Sequence, residues 1–166
     1  MKPVAFKVGI LAGLMSCYYN GASVGVMVTA SHNPIEDNGI KLVDPNGEMV
    51  TEQWEHLAAR LANASDDGND TISIIESICN ELNINIQDKQ IKVAVARDTR
   101  PSGEELCEAI EFGVRSLKSS AIYVNLGLLT TPQLHFSIRE LNLENSTTEY
   151  IEHFSSAFEK ILSGKK

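Results

Sequence analysis

A serine in an unusual loop is the residue whose surroundings most directly suggest chemistry. Ser31 lies in the segment TASHNP, residues 29–34, directly after an apolar run. A hydroxyl at that point can be held rigidly at the mouth of a sheet. Pro34 forces an extended or turned backbone before it, which leaves nearby N–H groups free to point at an anion. The loop therefore predicts a site for an anionic group beside the Ser31 hydroxyl.

A lysine follows the same loop. Gly39 allows a sharp turn, and Lys41 lies ten residues after Ser31. If the short run 40–43 returns antiparallel to the strand before Ser31, Lys41 can approach the serine. Two other interpretations stay open. Ser31 and His32 can be ordinary loop residues, and a serine-hydrolase site is less favoured because the chain has no G-x-S-x-G elbow.

A second polar segment follows another apolar run. Arg97 and Arg100 flank Asp98, and Ser102 comes two residues after Arg100. One interpretation is an active-site loop whose charged groups hydrogen-bond to the serine loop and orient it. The other is a capped helix start, with Ser102 as the N-cap and acidic residues in the first turn. The two interpretations are compatible.

The elements that must position these residues alternate along the chain. Continuous apolar runs predict strands covered on both faces, and apolar residues at three- and four-residue spacing predict helices. The predicted strands are 22–29, 40–43, 91–96 and 121–126. The predicted helices are 6–19, 51–61, 71–82, 104–117, 134–141 and 148–161.

This order predicts an α/β fold, with a mostly parallel sheet and helices on both faces. The ligands of such sheets gather at the carboxyl ends of the strands. Predicted loops leave those ends at residues 30–39, 97–103 and 127–133, and each carries unusual polar, proline or glycine content. We therefore expect these loops to contribute to one site.

Composition limits the classes of function. The chain has 166 residues, 43% of them hydrophobic, which favours one globular domain over 1–166. Its net charge of −8 argues against a nucleic-acid partner or an acidic membrane surface, yet it permits a small anionic ligand in a local basic pocket. No apolar run approaches the roughly 18 residues of a membrane span. With no signal peptide and three widely spaced cysteines, we expect reduced thiols and a cytoplasmic location.

The motifs resemble those of a known family. The segment TASHNP, followed by NGIK, resembles the phosphoserine loop of the α-D-phosphohexomutases. The strings TASHNPIEDNGIKLVDPNGEM, ARDTRPS and GLLTTPQLH are similar to the branch of that family that acts on N-acetylglucosamine phosphate. The resemblance runs from about Phe6 to the C-terminus. It implies the α/β/α first domain of these enzymes, with the active-site serine loop at residues 29–41.

The resemblance also implies a reaction. Members of the family are isomerases that interconvert 6-phospho and 1-phospho sugars through a bisphosphorylated intermediate. The implied substrate and product are N-acetylglucosamine 6-phosphate and N-acetylglucosamine 1-phosphate, in UDP-N-acetylglucosamine biosynthesis. Ser31 matches the serine that carries the phosphoryl group, and one oxygen of its phosphate would bind Mg²⁺. Phosphorylated N-acetylglucosamine is the expected ligand.

Other residues match family positions near that serine. His32 would lie beside the phosphate as a donor, or it is a loop histidine bonded to the backbone. Lys41 matches a lysine assigned to acid–base work, although an ammonium group there can also act purely by its charge. The residues expected to support the loop or to line the cleft are Arg97, Asp98, Arg100 and Thr131.

Parts of the family pattern do not occur in this sequence. It contains no segment for the other three family domains, and no D-x-D-x-D-R motif to supply carboxylate ligands for Mg²⁺. The acidic stretch 66–70 has the spacing of a solvated loop. We therefore expect an incomplete Mg²⁺ site and an inactive chain. The alternative is a truncated, non-catalytic domain that binds phosphosugars or another protein, although no particular protein partner is indicated.

Overall fold

Strands and helices alternate along the chain. The computed structural model describes residues 1–65, 68–143 and 149–164. The strands in these segments are β1 Ser23–Val28, β2 Ile40–Val43, β3 Lys92–Arg97 and β4 Ile122–Leu128. The helices are α1 Lys2–Tyr18, α2 Glu52–Ala62, α3 Asn69–Glu81, α4 Gly103–Leu117, α5 Thr131–Asn142 and α6 Tyr150–Leu162.

One sheet forms the centre of the fold, with its strands in the order β2-β1-β3-β4. β1, β3 and β4 are parallel, whereas β2 runs antiparallel to β1. Val28 lies beside Arg97, and Arg97 lies beside Leu128, so the three parallel strands end at the same edge. The predicted α/β fold with a mostly parallel sheet is confirmed, and the three following loops leave from one edge.

Helices cover the two faces of the sheet unequally. The larger core lies between the sheet and α1, α2 and α4, and it includes Val26 of β1 and Trp54 of α2. The neighbouring residue Met27 faces the other side, as alternate residues of a strand do. There it joins a second, smaller core with Leu134 and Ile138 of α5. Helices therefore lie on both faces, but within residues 1–65, 68–143 and 149–164 the helical side chains of the smaller core all come from α5.

One side-chain amide fixes the last residue of α5. Asn142 accepts a hydrogen bond of 2.8 Å from the Ser23 N–H. It donates to the carbonyl oxygens of Ser23, at 2.8 Å, and Pro45, at 2.9 Å. Because Ser23 begins β1, this amide attaches the end of α5 to the edge of the sheet opposite the three loops.

The predicted loop over 127–133 is wrong at both ends. β4 continues to Leu128, and α5 begins at Thr131. Thr130 and Gln133 explain the early helix start, because they form a capping box. The Thr130 backbone N–H and hydroxyl lie 2.8 and 2.9 Å from Gln133 Oε1.

The acidic stretch 66–70 is only partly a loop. Asn69 and Asp70 belong to α3, while residues 66–67 lie outside the described residues. The helix predicted over 148–161 is present as α6, and residue 148 lies outside the described residues as well.

The cysteines are free thiols. Cys17 and Cys107 are buried, and Cys79 is partly buried. Burial raises the pKa of Cys107 to about 11, so this thiol stays protonated near neutral pH. None of the described helices is long and apolar enough to cross a membrane.

α1 and α4 approach each other through two glycines. A Cβ atom added at Gly9 would lie 2.1 Å from the carbonyl oxygen of Ile110. One added at Gly113 would lie 2.0 Å from the carbonyl oxygen of Phe6. Both distances are far below van der Waals contact with backbone atoms, so the packing of these helices requires glycine at both positions.

Gly113→Ala should therefore destabilise the fold. In an ordinary helix this change is favourable by about 1 kcal/mol. Here the added methyl group would force α1 away from α4, and overpacking of this kind costs roughly 1–3 kcal/mol. Urea unfolding would measure the difference, with Glu108→Ala on the exposed face of α4 as the control. A Gly113→Ala protein as stable as the wild type would contradict the close helix contact.

Candidate active site

A cavity of about 490 Å³ opens at the carboxyl edge of the sheet, where the three parallel strands end. The ends of β1, β3 and β4 and the segments that follow them contribute to its wall. The lining residues are Met27, Thr29, Ser31, Arg97, Asp98, Thr99, Arg100, Leu128, Leu129, Thr130, Thr131 and Gln133. The expectation that three loops share one site agrees with this geometry.

Ser31 lies at this cavity in an unusual backbone conformation. Its φ is 50°, in the left-handed region that residues other than glycine rarely occupy. Its N–H donates a hydrogen bond of 3.2 Å to Thr29 Oγ1. Such strained residues are held only by their surroundings and cluster at functional sites. Ser31 is exposed, so its hydroxyl is accessible from solvent.

Asp98 connects the serine loop to the end of β3. Its Oδ2 accepts a hydrogen bond of 2.7 Å from the buried Thr29 hydroxyl and also pairs with the Arg100 guanidinium. Its Oδ1 accepts from the Arg100 N–H at 3.0 Å. Burial by itself would raise the pKa of Asp98, but these bonds from Arg100 and Thr29 outweigh it and lower the pKa. Asp98 is therefore ionised, and it connects the serine loop to the loop that follows β3.

Arg100 supports the serine loop directly. Its Nε donates to the carbonyl oxygen of Asp37 at 2.9 Å, and its Nη2 donates to that of Asn33 at 2.9 Å. Together with the ion pair to Asp98, these bonds occupy all three nitrogen atoms of the guanidinium group. The Arg100 side chain is only 10% exposed. The planar group thus holds both ends of the turn that follows Ser31.

The start of α4 also contacts the serine loop. Ser102 occupies the N-cap position of α4, but its hydroxyl makes no capping bond. Instead, Ser102 Oγ accepts a hydrogen bond of 3.0 Å from the Asn38 side-chain amide. The interpretation of Ser102 as a side-chain cap is therefore wrong, because this hydroxyl bonds to the serine loop.

Arg97 is held more loosely than Arg100. Its two terminal nitrogens lie 3.4 Å from the Asp98 carbonyl oxygen and from Glu104 Oε1. Its aliphatic part lies against Gly103, where an added Cβ would be 3.0 Å from Arg97 Cδ. A positive group with only long contacts at a cavity wall is suited to attract an anion.

The α5 side of the cavity carries Thr131, as expected, together with Thr130 and Gln133 of the predicted loop 127–133. The sequence analysis did not single out Gln133, whose side chain forms the capping box of α5 with Thr130. The T-x-x-Q spacing was the signal that could have identified this capping pair. Thr29 was also missed as a bonding residue, and no local pattern indicates its contact with Asp98.

His32 and Lys41 are not brought together with the other predicted residues. In the described part of the chain neither of them lines the cavity, and both are exposed. β2 does return antiparallel to β1, which places Lys41 opposite Met27. Opposite residues of such a pair point to the same face of the sheet. Lys41 therefore lies on the same face as Met27, which lines the cavity. The roles assigned to His32 and Lys41 stay predictions.

The described residues do not form a magnesium site by themselves. They contain no group of three or more histidine, cysteine, aspartate or glutamate side chains that could hold a metal ion. Both oxygens of Asp98 are already bonded to Arg100 and Thr29. Mg²⁺ prefers several oxygen ligands in octahedral geometry, and this set does not supply them.

The geometry agrees with a known family of sugar-phosphate enzymes. Residues 12–69 and 63–148 match the family model described as phosphoglucomutase/phosphomannomutase, alpha/beta/alpha domain I. The chain belongs to this family. The resemblance of the serine loop to the phosphohexomutases is therefore confirmed.

Curated members of the family are similar over much of the chain. Phosphoacetylglucosamine mutase of Arabidopsis thaliana is 41% identical over 162 residues, which cover 95% of this chain and 29% of the relative. The Homo sapiens enzyme of the same name is 45% identical over 135 residues, covering 81% of this chain and 24% of that protein. The chain thus spans less than a third of the length of these relatives. Their names support a mutase-type function.

Solved structures confirm the α/β/α fold. The apo crystal structure of N-acetylglucosamine-phosphate mutase matches with a TM-score of 0.88 at 40% identity, covering 98% of this chain and 36% of that one. Aspergillus fumigatus N-acetylphosphoglucosamine mutase, solved with GlcNAc-6P and magnesium, matches with a TM-score of 0.78 at 39% identity, covering 90% of this chain and 27% of that one. These two relatives share the fold, and the second binds a phosphorylated N-acetylglucosamine and magnesium.

Asp98→Asn should lower the free energy of unfolding at neutral pH. It should also reduce the amount by which that free energy falls on acidification. The pKa of Asp98 is lower in the folded protein than in the unfolded chain. Its contribution to the free energy of unfolding is therefore fully present above the ordinary Asp pKa of about 3.9, and it is lost as the pH falls through the pKa of the folded state. Hydrogen bonds to a charged group contribute about 1.5 kcal/mol or more, so we expect a loss of that order at pH 7. Urea unfolding between neutral pH and about pH 3 would measure both effects.

The control for this comparison is Glu55→Gln, which changes an exposed carboxylate on α2. It should leave both the stability at neutral pH and the acid dependence close to those of the wild type. If Asp98→Asn kept the full acid dependence of the wild type, the proposed bonding of Asp98 would be incorrect.

Proposed function

We propose that residues 1–166 form the first domain of a phosphoacetylglucosamine mutase and that Ser31 is its phosphoryl carrier. One observation carries this proposal: Ser31 has a left-handed backbone at a cavity whose wall contains two arginines. The Thr29–Asp98–Arg100 bonds hold that backbone in place before any ligand binds. Similarity to mutases that act on N-acetylglucosamine phosphates supports the substrate class.

The proposed reaction has two phosphoryl transfers. In the first, the bond between phosphorus and Ser31 Oγ breaks, and a bond forms between phosphorus and the oxygen of the 1-hydroxyl group of N-acetylglucosamine 6-phosphate. That hydroxyl loses its proton, and Ser31 Oγ gains one. In the second, the bond between phosphorus and O6 of the 1,6-bisphosphate breaks, and a bond forms between that phosphorus and Ser31 Oγ. The sugar O6 gains a proton, and Ser31 Oγ loses one. N-acetylglucosamine 1-phosphate leaves, for use in UDP-N-acetylglucosamine synthesis.

The residues around Ser31 have distinct proposed roles. Arg97, which has only long contacts, attracts the negative oxygens of the transferred group. Arg100 and Asp98 do not touch that group but keep the serine loop in shape. Lys41, on the sheet face of Met27, exchanges the proton or acts by its charge, and His32 donates to the phosphate.

Magnesium enters this proposal only through one oxygen of phosphorylated Ser31. When bound, Mg²⁺ would neutralise charge on the transferred group. The described carboxylates do not complete its coordination.

A second candidate is a non-catalytic domain that binds a phosphosugar or another protein. The observation that favours it is the lack, among residues 1–65, 68–143 and 149–164, of a cluster that could hold a metal ion. It predicts binding of N-acetylglucosamine 6-phosphate at the cavity without transfer to or from Ser31. Calorimetric binding together with mass spectrometry of the protein would distinguish it from a phosphoryl carrier.

The chain alone should show at most trace mutase turnover. Most of the barrier reduction in phosphoryl transfer comes from metal ions and positioned donors, and the described residues supply only part of this set. A coupled assay with N-acetylglucosamine 6-phosphate and Mg²⁺ would measure the rate. Robust turnover that Ser31→Ala abolishes would show that the chain contains a complete site.

Ser31→Ala should abolish activity where the rest of a mutase is present. The test is a chimera in which this chain replaces the matching segment of the Arabidopsis thaliana relative. The parent chimera should be active and carry a phosphoryl group on Ser31, detected by mass spectrometry. Ser119→Ala, an exposed serine at the opposite edge of the sheet, is the matched control and should keep full activity. An active Ser31→Ala chimera would disprove the carrier role.

The same chimera separates the two roles of Lys41. Lys41→Ala should slow turnover by about 10² to 10⁴ if a positioned acid–base group is lost. Lys41→Arg keeps the charge but cannot exchange a proton near neutral pH, so it should not restore the rate. Wild-type activity of Lys41→Arg would assign Lys41 a purely electrostatic role.

A further inference from the structure

The side-chain amide of Gln133 lies at the cavity, and its oxygen is fully used by the fold. Gln133 Oε1 accepts one hydrogen bond from the Thr130 N–H at 2.8 Å and another from the Thr130 hydroxyl at 2.9 Å. Because a backbone N–H can only donate, the oxygen of the amide, and not its nitrogen, must face Thr130. An amide oxygen has two lone pairs, so these two bonds use its whole accepting capacity.

The amide nitrogen of Gln133 is not used by the fold. Its Nε2 makes no hydrogen bond to any residue that the structure describes. The side chain is partly exposed and lines the cavity. Because hydrogen bonds in a chain polarise one another, the two bonds at the oxygen strengthen the amide N–H groups as donors. Gln133 can therefore offer a ligand two donors and no acceptor.

The charged groups of the cavity wall favour the same kind of ligand. The contacts of the Arg97 guanidinium with described residues are long, at 3.4 Å. Among the described lining residues the one carboxylate is that of Asp98, and both of its oxygens are bonded within the protein. A ligand that must donate hydrogen bonds meets no unoccupied carboxylate on this wall. The oxygens of a phosphate dianion only accept, and they bind charged and neutral donors alike.

We propose that Gln133 binds the phosphate group of a sugar phosphate through its side-chain Nε2. Arg97 supplies positive charge to the same group, and the two bonds from Thr130 hold the amide in the orientation that presents its donors. Gln133 is thus a specificity-determining residue, which favours a phosphorylated sugar over the unphosphorylated one. The inference rests on the proposed function, which supplies the sugar phosphate, but it gives Gln133 no part in the transfer to or from Ser31.

Gln133→Glu separates this binding role from the capping role. Glutamate keeps an oxygen for the Thr130 N–H and therefore keeps the capping box, but it has no N–H group and adds a negative charge. Calorimetric titration of the whole chain with N-acetylglucosamine 6-phosphate, up to about 10 mM, should show binding weakened more than tenfold. Urea unfolding should show a stability no lower than that of the wild type. Gln53→Glu, the same change at an exposed position of α2, is the matched control and should bind like the wild type.

Gln133→Met removes the two donors without adding a charge. Because a hydrogen bond to a charged group is lost, the affinity for N-acetylglucosamine 6-phosphate should fall by about tenfold. Circular dichroism should show the native helix content, although the capping box is lost. Unphosphorylated N-acetylglucosamine, titrated into the wild type over the same range, should show no measurable binding.

Three outcomes would overturn the proposal. They are a wild type that does not bind N-acetylglucosamine 6-phosphate, a Glu or Met variant of Gln133 that binds it as tightly as the wild type, and equal affinity for N-acetylglucosamine and its phosphate. None of them bears on the carrier role of Ser31, because phosphoryl transfer in the chimera tests that role. Conversely, an active Ser31→Ala chimera would disprove the carrier role and leave the measured effect of Gln133 on binding unchanged.

Discussion

The hydrogen bonds of Arg100 determine the shape of the serine loop. Residues 30–39 contain turns but no regular helix or strand, so side-chain contacts must define their path. Arg100 binds the carbonyl oxygens of Asn33 and Asp37, while Asp98 binds both Arg100 and Thr29. One carboxylate and one guanidinium thus connect the end of β3 to the backbone on both sides of Ser31. The left-handed conformation of Ser31 depends on this connection.

Much of the architecture could be predicted from local patterns. β1 and β3 are continuous apolar runs because both faces of each strand are covered, and this makes them easy to recognise in the sequence. The loops at their carboxyl ends then follow from the rule for parallel sheets. The end of β4 was harder to predict because this edge strand is only partly buried. Gly127 there gave the signal of a loop although the strand continues through it.

The motif predicted that charged groups after β3 hydrogen-bond to the serine loop, and Arg100 and Asp98 do so. The particular partners of these bonds could not be predicted, because the bonds join distant segments. Arg100 lies 63 and 67 residues from the carbonyl groups that it binds, and neither contact leaves a trace in the local sequence. The pairing of Ser102 with Asn38, rather than with its own helix, is of the same kind. The motif identified Ser31 correctly as a residue at a cavity, whereas it gave no indication that Lys41 lies outside the lining.

The hydrophobic core is divided unequally between the two faces of the sheet, and this division affects where the protein unfolds locally. Local unfolding begins where few apolar contacts must be broken. Among the described helices, α5 is the one that covers the strands on one face of the sheet, through a small core that includes Leu134 and Ile138. The same helix carries Thr131 into the cavity wall and is held at its other end by Asn142. Fluctuations of this thin layer would reshape one wall of the cavity while the serine loop, attached to the thicker core through α4, keeps its form.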